Sequence, residues 1–188
     1  MTAAQDRLAA GALAVFCRYG YAASTLRQVA DQLGIQAPSV YSLVTNKAAL
    51  LELVLTPMLD AVDGLLTRVP VGGDVEAQRH WLLTYRQLLE THQDAVRLTI
   101  GDLGINQHSR LAGRIKSHHI VLRAVLAGFG GADQTQTAAV IGLLIWPVLW
   151  LEVADRGPAE TAVAQALALL HPAAAAAHSQ EVRVGSFG

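Results

Sequence analysis

The stretch "LGIQAPSVYSLVTNK", Leu33 to Lys47, decides how this chain is read. It closes one short helical pattern, opens another and begins a third. Leu26, Val29, Ala30 and Leu33 form the apolar stripe of a short helix, and Gly34 is its natural left-handed terminator. Pro38 fits the first turn of the next helix, where its missing N–H is not needed, and that helix buries Val40 and Val44. Asn46 reads as the N-cap of a long helix through "KAALLELVLTPMLDAVDGLL". Two short helices joined by a tight Gly-containing turn have the geometry of a helix-turn-helix. The outer face of the second carries Ala37, Pro38, Ser39 and Tyr41, free to enter a major groove. Arg27 can reach the same groove, and Lys47 stands beside the backbone N–H groups of a helix start.

Outward from this stretch the period stays helical. Upstream, Thr25 and Gln28 form a capping-box pair, and Leu8, Ala12, Val15, Phe16 and Tyr19 form one helix face that Gly20 stops. Downstream, breaks fall at Pro70–Asp74, Gly128–Asp133 and Asp155–Pro158, which leaves helices near 75–91, 93–103, 107–128, 134–154 and 159–170. Pro57 lies inside the long helix, removes the bond to the Leu53 carbonyl and should kink it. The expectation is an all-α protein. The expected division is three short helices with the helix-turn-helix over 1–46, a bundle of longer helices over 47–170, and a low-complexity tail over 171–188.

Bulk composition does not announce a nucleic-acid partner. The chain has 188 residues, 52% hydrophobic and 15% charged, with a formal net charge of -1. In the first 50 residues Arg7, Arg18, Arg27 and Lys47 face Asp6 and Asp31, so few phosphate contacts per subunit are expected. The single Cys17 excludes an intrachain disulfide and suits a reducing cytoplasm. "LAAGALAVFC" and "AAVIGLLIWPVLWL" imitate membrane signals, but the first lacks a cleavage site and the second falls short of the ~20 apolar residues of a span. Both read as soluble helices, with no membrane partner and a cytoplasmic location.

The residues of "STLRQVADQLGIQAPSVYSLVTNKAALLELV" resemble the DNA-binding segment of the TetR family of bacterial transcriptional repressors. Thr25, Arg27, Val29, Ala30, Gly34, Ile35, Val40, Tyr41, Asn46, Lys47 and Leu50 carry the likeness. A weaker likeness to the tetracycline-repressor branch runs through Met58–Asp60 and Thr91–Gly101. The resemblance implies that Thr25, Tyr41 and Lys47 contact phosphates, while Arg27, Ala37, Pro38 and Ser39 read bases. By its chemistry Arg27 suits guanine O6/N7, and the apolar Ala37 and Pro38 suit a thymine methyl. Leu43 departs from the family's His or Tyr and can form no hydrogen bond there.

The resemblance also implies a regulatory half that dimerises and binds a small molecule. The segment "AAVIGLLIWPVLWLEVA" is apolar nearly all round, so a partner subunit is expected to cover the helices near 134–154 and 159–170. Met58, Asp63, Trp81, Tyr85, Thr99, Trp146 and Trp150 are the candidate ligand residues, suited to a bulky, apolar or aromatic effector. Asp63, Trp81 and Thr99 replace the residues that tetracycline-responsive relatives use, so the inducer is expected to differ. No catalytic group, cofactor or metal site is expected. The adjacent His118 and His119 point about 100° apart on a helix and cannot chelate one ion. The expected function is a ligand-responsive regulator, in the first instance a repressor, that holds double-stranded operator DNA as a homodimer. The competing reading is a helical ligand-binding or protein-interaction module whose helix-turn-helix no longer binds DNA. A helical enzyme is a more distant one, since no general base accompanies Tyr85.

Overall fold

A computed structural model describes residues 2–101, 109–150, 152 and 155–171. All but the first residue of the tail expected at 171–188, and parts of the segments expected at 93–103, 107–128 and 134–154, lie outside the described residues. Among the described residues the chain is helical, without strands: α1 Ala3–Tyr19, α2 Leu26–Leu33, α3 Ala37–Tyr41, α4 Lys47–Leu66, α5 Val75–Thr91, α6 Gln93–Gly101, α7 Ser109–Gly130, α8 Gln134–Trp150 and α9 Ala159–Leu170. They group into two compact units, one within Met1–Asp63 and His92–Ser117, the other within Gly64–Thr91 and His118–Gly188.

In the first unit local chemistry sets most boundaries. Helix α1 starts earlier than the apolar stripe from Leu8 suggests, because Thr2 and Gln5 form a reciprocal capping box: Gln5 N–H donates to Thr2 Oγ1 at 3.3 Å and Thr2 N–H to Gln5 Oε1 at 3.0 Å. Gly20, at φ 78°, ends it with its N–H on the Phe16 carbonyl. Helix α1 buries Leu8, Gly11, Ala12, Val15 and Phe16. At Gly11 a Cβ would lie 2.6 Å from the Leu33 side chain, so glycine there lets α2 approach α1. Val29, Val40, Leu50, Leu51, Leu55 and Leu59 complete this core. Helix α6 packs on α1, where the Cys17 thiol reaches the Asp94 carbonyl at 3.7 Å. Burial, with help from the Asp94 charge and against that of Arg97, pushes this thiol up to about 11, which makes it a poor nucleophile at neutral pH.

In the second unit α8 and α9 pack together, and both pack on α5. Helix α8 turns Thr137, Val140, Leu144 and Val148 inward. Positions 146 and 150 are two residues out of step with that stripe, so Trp146 and Trp150 stand on the opposite face and are exposed. Among the described residues the apolar outer face is thus uncovered. Buried Gln78 ties three segments together. Its Nε2 donates to the Phe129 carbonyl at 3.1 Å and the Gly72 carbonyl at 3.3 Å, and its Oε1 meets His171 Nε2 at 2.7 Å. Gln78 Oε1 is the acceptor of that pair, so His171 Nε2 carries the proton. No helix among the described residues is long and apolar enough to cross a membrane.

Candidate nucleic-acid interface

Helix α2 is anchored at both ends. Gln28 N–H donates to Thr25 Oγ1 at 3.2 Å, and Thr25 N–H donates to Gln28 Oε1 at 2.8 Å. At the other end Gly34 is left-handed, with φ 64° and ψ 32°. Its N–H and that of Ile35 return to carbonyls of the last turn, Ile35 to Ala30 at 3.0 Å. The left-handed residue redirects the chain into α3, and Val40, fully buried, pins α3 against α2. Asn46 caps α4 by accepting the Ala49 N–H at 2.8 Å.

This scaffold exposes a short polar and apolar surface. Arg27, Pro38, Ser39 and Tyr41 are exposed and Ala37 is half-buried. Tyr41 is 58% exposed, against the usual burial of a large aromatic. Neither Arg27 nor the Tyr41 hydroxyl has a hydrogen-bond or ion-pair partner among the described residues, so their donors are available to a ligand. The Thr25 hydroxyl is 3.0 Å from Gln28 Oε1, which also holds the Thr25 N–H, so the hydroxyl hydrogen can pass to a phosphate without stranding that acceptor. Leu43 lines a small apolar groove with Leu8, Leu33 and Ile35, a packing position that a polar residue would disturb. Gln36, Ser42 and Thr45 are exposed on the same segment and were not singled out by motif. Their signal was only polarity beside α3.

Lys47 is placed differently from the expectation of a phosphate ligand. Its Nζ donates to the carbonyls of Tyr21 at 2.8 Å, Ala22 at 3.0 Å and Ser24 at 3.0 Å, and lies 4.7 Å from the Tyr21 ring centroid.

The candidate ligand residues fall into separate settings. In the first unit Met58 and Thr99 are buried, and the Thr99 hydroxyl is engaged by the carbonyls of its own helix, Val96 at 2.8 Å and Ala95 at 3.0 Å. Asp63 pairs with Arg114, which also binds Asp60. In the second unit Trp81 and Tyr85 are buried and stacked, 5.9 Å apart, with Phe129 edge-on to Trp81. Trp81 Nε1 donates to the Leu65 carbonyl at 3.2 Å. Burial drives the Tyr85 hydroxyl well above its ordinary range, so it remains protonated and a donor. Trp146 and Trp150 do not join that pair. They lie tilted against each other at 5.6 Å, and Trp146 lines an open apolar groove of about 570 Å³ between α8 and α9. Among the described residues no group of three His, Cys, Asp or Glu could hold a metal ion.

An all-helical chain with a capped, exposed helix-turn-helix near its start has the architecture of a DNA-binding regulator. Residues 8–54 match the family of bacterial regulatory proteins, tetR family. Over those residues the chain carries that family's N-terminal domain. The same fold recurs in the ketosteroid transcriptional regulator KstR2 of Mycobacterium tuberculosis, with a TM-score of 0.72 at 19% identity over 90% of this chain and 94% of that one. The TetR-family regulator PfmR from Thermus thermophilus aligns with a TM-score of 0.68 at 21% identity, over 88% of this chain and 97% of its own. The fatty acid degradation regulator FadR from Bacillus halodurans gives 0.63 at 18% identity, over 90% and 95%. No curated protein sequence matches the chain.

Proposed function

We propose that this chain is a ligand-responsive repressor that binds a pseudopalindromic operator as a homodimer, in the cytoplasm, and leaves it when a small molecule binds. The observation that carries this reading is the pair of donors left unengaged among the described residues, Arg27 and Tyr41, on a helix-turn-helix whose first helix is fixed by caps at both ends. In this reading residues 1–46 form the reading head, 47–170 the ligand-binding and dimerisation domain, and 171–188 a tail. Arg27, Ala37, Pro38 and Ser39 face bases; Thr25 and Tyr41 face phosphates. The effector is bulky and apolar or aromatic, which the buried Trp81–Tyr85 stack supports. Two structurally similar proteins are named for ketosteroid and fatty acid regulation, in keeping with an apolar effector class.

The first test is selection of duplex DNA by the purified protein, followed by titration at two salt concentrations. Enrichment of a two-fold symmetric site is expected. Arg27→Ala should cost ~1–3 kcal/mol on that site and relax one base preference. Tyr41→Ala should weaken all sequences alike and make the salt dependence shallower. Recovery of no site, with weak association that salt does not change, would favour the protein-interaction reading.

The outer face of α8 supports the second half of the proposal. Gly142, Leu143 and Trp146 border the groove that Ala162, Gln165 and Leu169 of α9 close on the other side. A second copy meeting this face would form a four-helix interface. Leu143→Glu would place a charge in that interface at a position only half-buried in the single chain. Sedimentation should then show monomers and operator binding should fall at least tenfold, with helicity unchanged. Persistence of the dimer would remove α8 from the interface.

A further inference from the structure

We propose that Lys47 is a positioning residue for DNA reading, which fixes the start of α2 and with it the place of Arg27, and that it is not a phosphate ligand. This rests on the DNA-binding reading given above. An ammonium has three N–H donors. All three are taken, by carbonyls of Tyr21, Ala22 and Ser24 at 2.8, 3.0 and 3.0 Å. These carbonyls come from one four-residue turn, which connects Gly20 at the end of α1 to Thr25, the N-cap of α2. The turn therefore folds around the ammonium. The Tyr21 ring closes another side, 4.7 Å from Nζ, and itself stands edge-on to buried Phe16 at 5.4 Å.

The chemistry favours the internal site over a phosphate. Turning outward would break three charge-assisted hydrogen bonds in exchange for one contact at a solvated, screened surface. Among the described residues only the Tyr21 carbonyl would keep a side-chain donor, the Ser24 hydroxyl at 2.8 Å. Lys47 is the first residue of α4, so the cage fastens the start of α4 to the residues that precede α2. Arg27 is the second residue of α2, two positions beyond the caged turn's exit at Thr25. Losing the cage frees the turn and lets Arg27 drift relative to α3. An arginine cannot replace the lysine, because its planar fork sends its donors outward in one plane, whereas the three carbonyls converge on a point.

The test compares the full-length chain with Lys47→Met and Lys47→Arg, and each of these crossed with Arg27→Ala and Tyr41→Ala, on the selected duplex well below the melting temperatures. Lys47→Gln stands in if the methionine variant does not fold. Lys47→Met should bind at least tenfold more weakly with an unchanged slope of log K against log salt. Lys47→Arg should lose as much despite keeping its charge. The loss should be strongly non-additive with Arg27→Ala and additive with Tyr41→Ala, a pattern that general destabilisation does not produce. A slope shallower by about one in Lys47→Met, with binding retained in Lys47→Arg, would show a phosphate contact and overturn the proposal. So would a loss additive with both partners. Should the unaltered protein select no duplex, the DNA reading falls and the proposed role in reading falls with it. Amide hydrogen exchange over residues 21–28 of Lys47→Met would then show separately whether the lysine holds the start of α2.

Discussion

Truncating Arg86 to alanine is expected to lower stability by about 3 kcal/mol, a fall in Tm of roughly 6–12 °C for a chain of this size. Arg86 has no exposed side-chain surface, and it is among the largest fully buried side chains. Its Nε donates to Glu90 at 2.7 Å on the same helix, and its Nη1 donates across to the Leu144 carbonyl of α8 at 3.1 Å. Removing it leaves that carbonyl without this donor, leaves Glu90 unpaired and opens a cavity. The figure sits at the low end for a broken buried pair because the Glu90 side chain is 36% exposed and can turn to water.

The same geometry predicts a milder outcome for a volume-conserving change. Nη2 is buried without a partner among the described residues, so the guanidinium already carries an uncompensated desolvation cost. Arg86→Met fills most of the space and removes that cost, and should melt well above Arg86→Ala. Thermal scans of both variants check this. Equal and small losses would mean that the contact with α8 contributes little.

The second large effect is expected at the end of α7. A Cβ on Gly130 would lie 1.9 Å from the Leu170 carbonyl oxygen and 2.9 Å from His171 Nδ1. The obstacle is backbone, which cannot rotate away. Gly130→Ala must therefore push the end of α9 outward and pull His171 from Gln78. A loss of about 3 kcal/mol is expected, at the upper end for overpacking. Gly128→Ala provides the contrast two residues earlier in the same helix, where a Cβ meets nothing within 4 Å. There alanine should stabilise by about 0.5–1 kcal/mol through helix propensity. Opposite signs in the two melting curves are the expected result. If Gly130→Ala melted with Gly128→Ala, the α7–α9 approach would be looser than the geometry states.

Many helix boundaries are set by local sequence alone, although α7 runs to Gly130, past the break expected from Gly128. Val44 is buried beyond the end of α3, not within it as the sequence suggested. The Thr25–Gln28 box, the left-handed Gly34, the Gly20 stop and the Asn46 cap are all in place, and α5 and α9 occupy the spans that their flanking breaks imply. Such signals act between residues two to five apart, so a linear reading holds them. Thr2 and Gln5 at the start of α1 were equally legible, being the same pattern as Thr25 and Gln28. The exposed residues of the reading head were also within reach, because a helix-turn-helix fixes which face remains outside.

Only the tertiary structure decided what the long polar side chains do. In the sequence Arg86 and Glu90 look like an ordinary solvated pair at i,i+4, and Lys47 like a surface charge open to a phosphate. Their partners lie 58 residues away at Leu144 and 23–26 residues away in the Tyr21–Ser24 turn. The two faces of α8 were hidden for a related reason. A helix apolar all round has no periodic signal, so packing on α5 and α9, not sequence, placed Val140, Leu144 and Val148 inside and left Trp146 and Trp150 out. Local backbone chemistry is written in neighbouring residues; burial and the acceptor a buried donor finds are set by whatever distant segment packs against it.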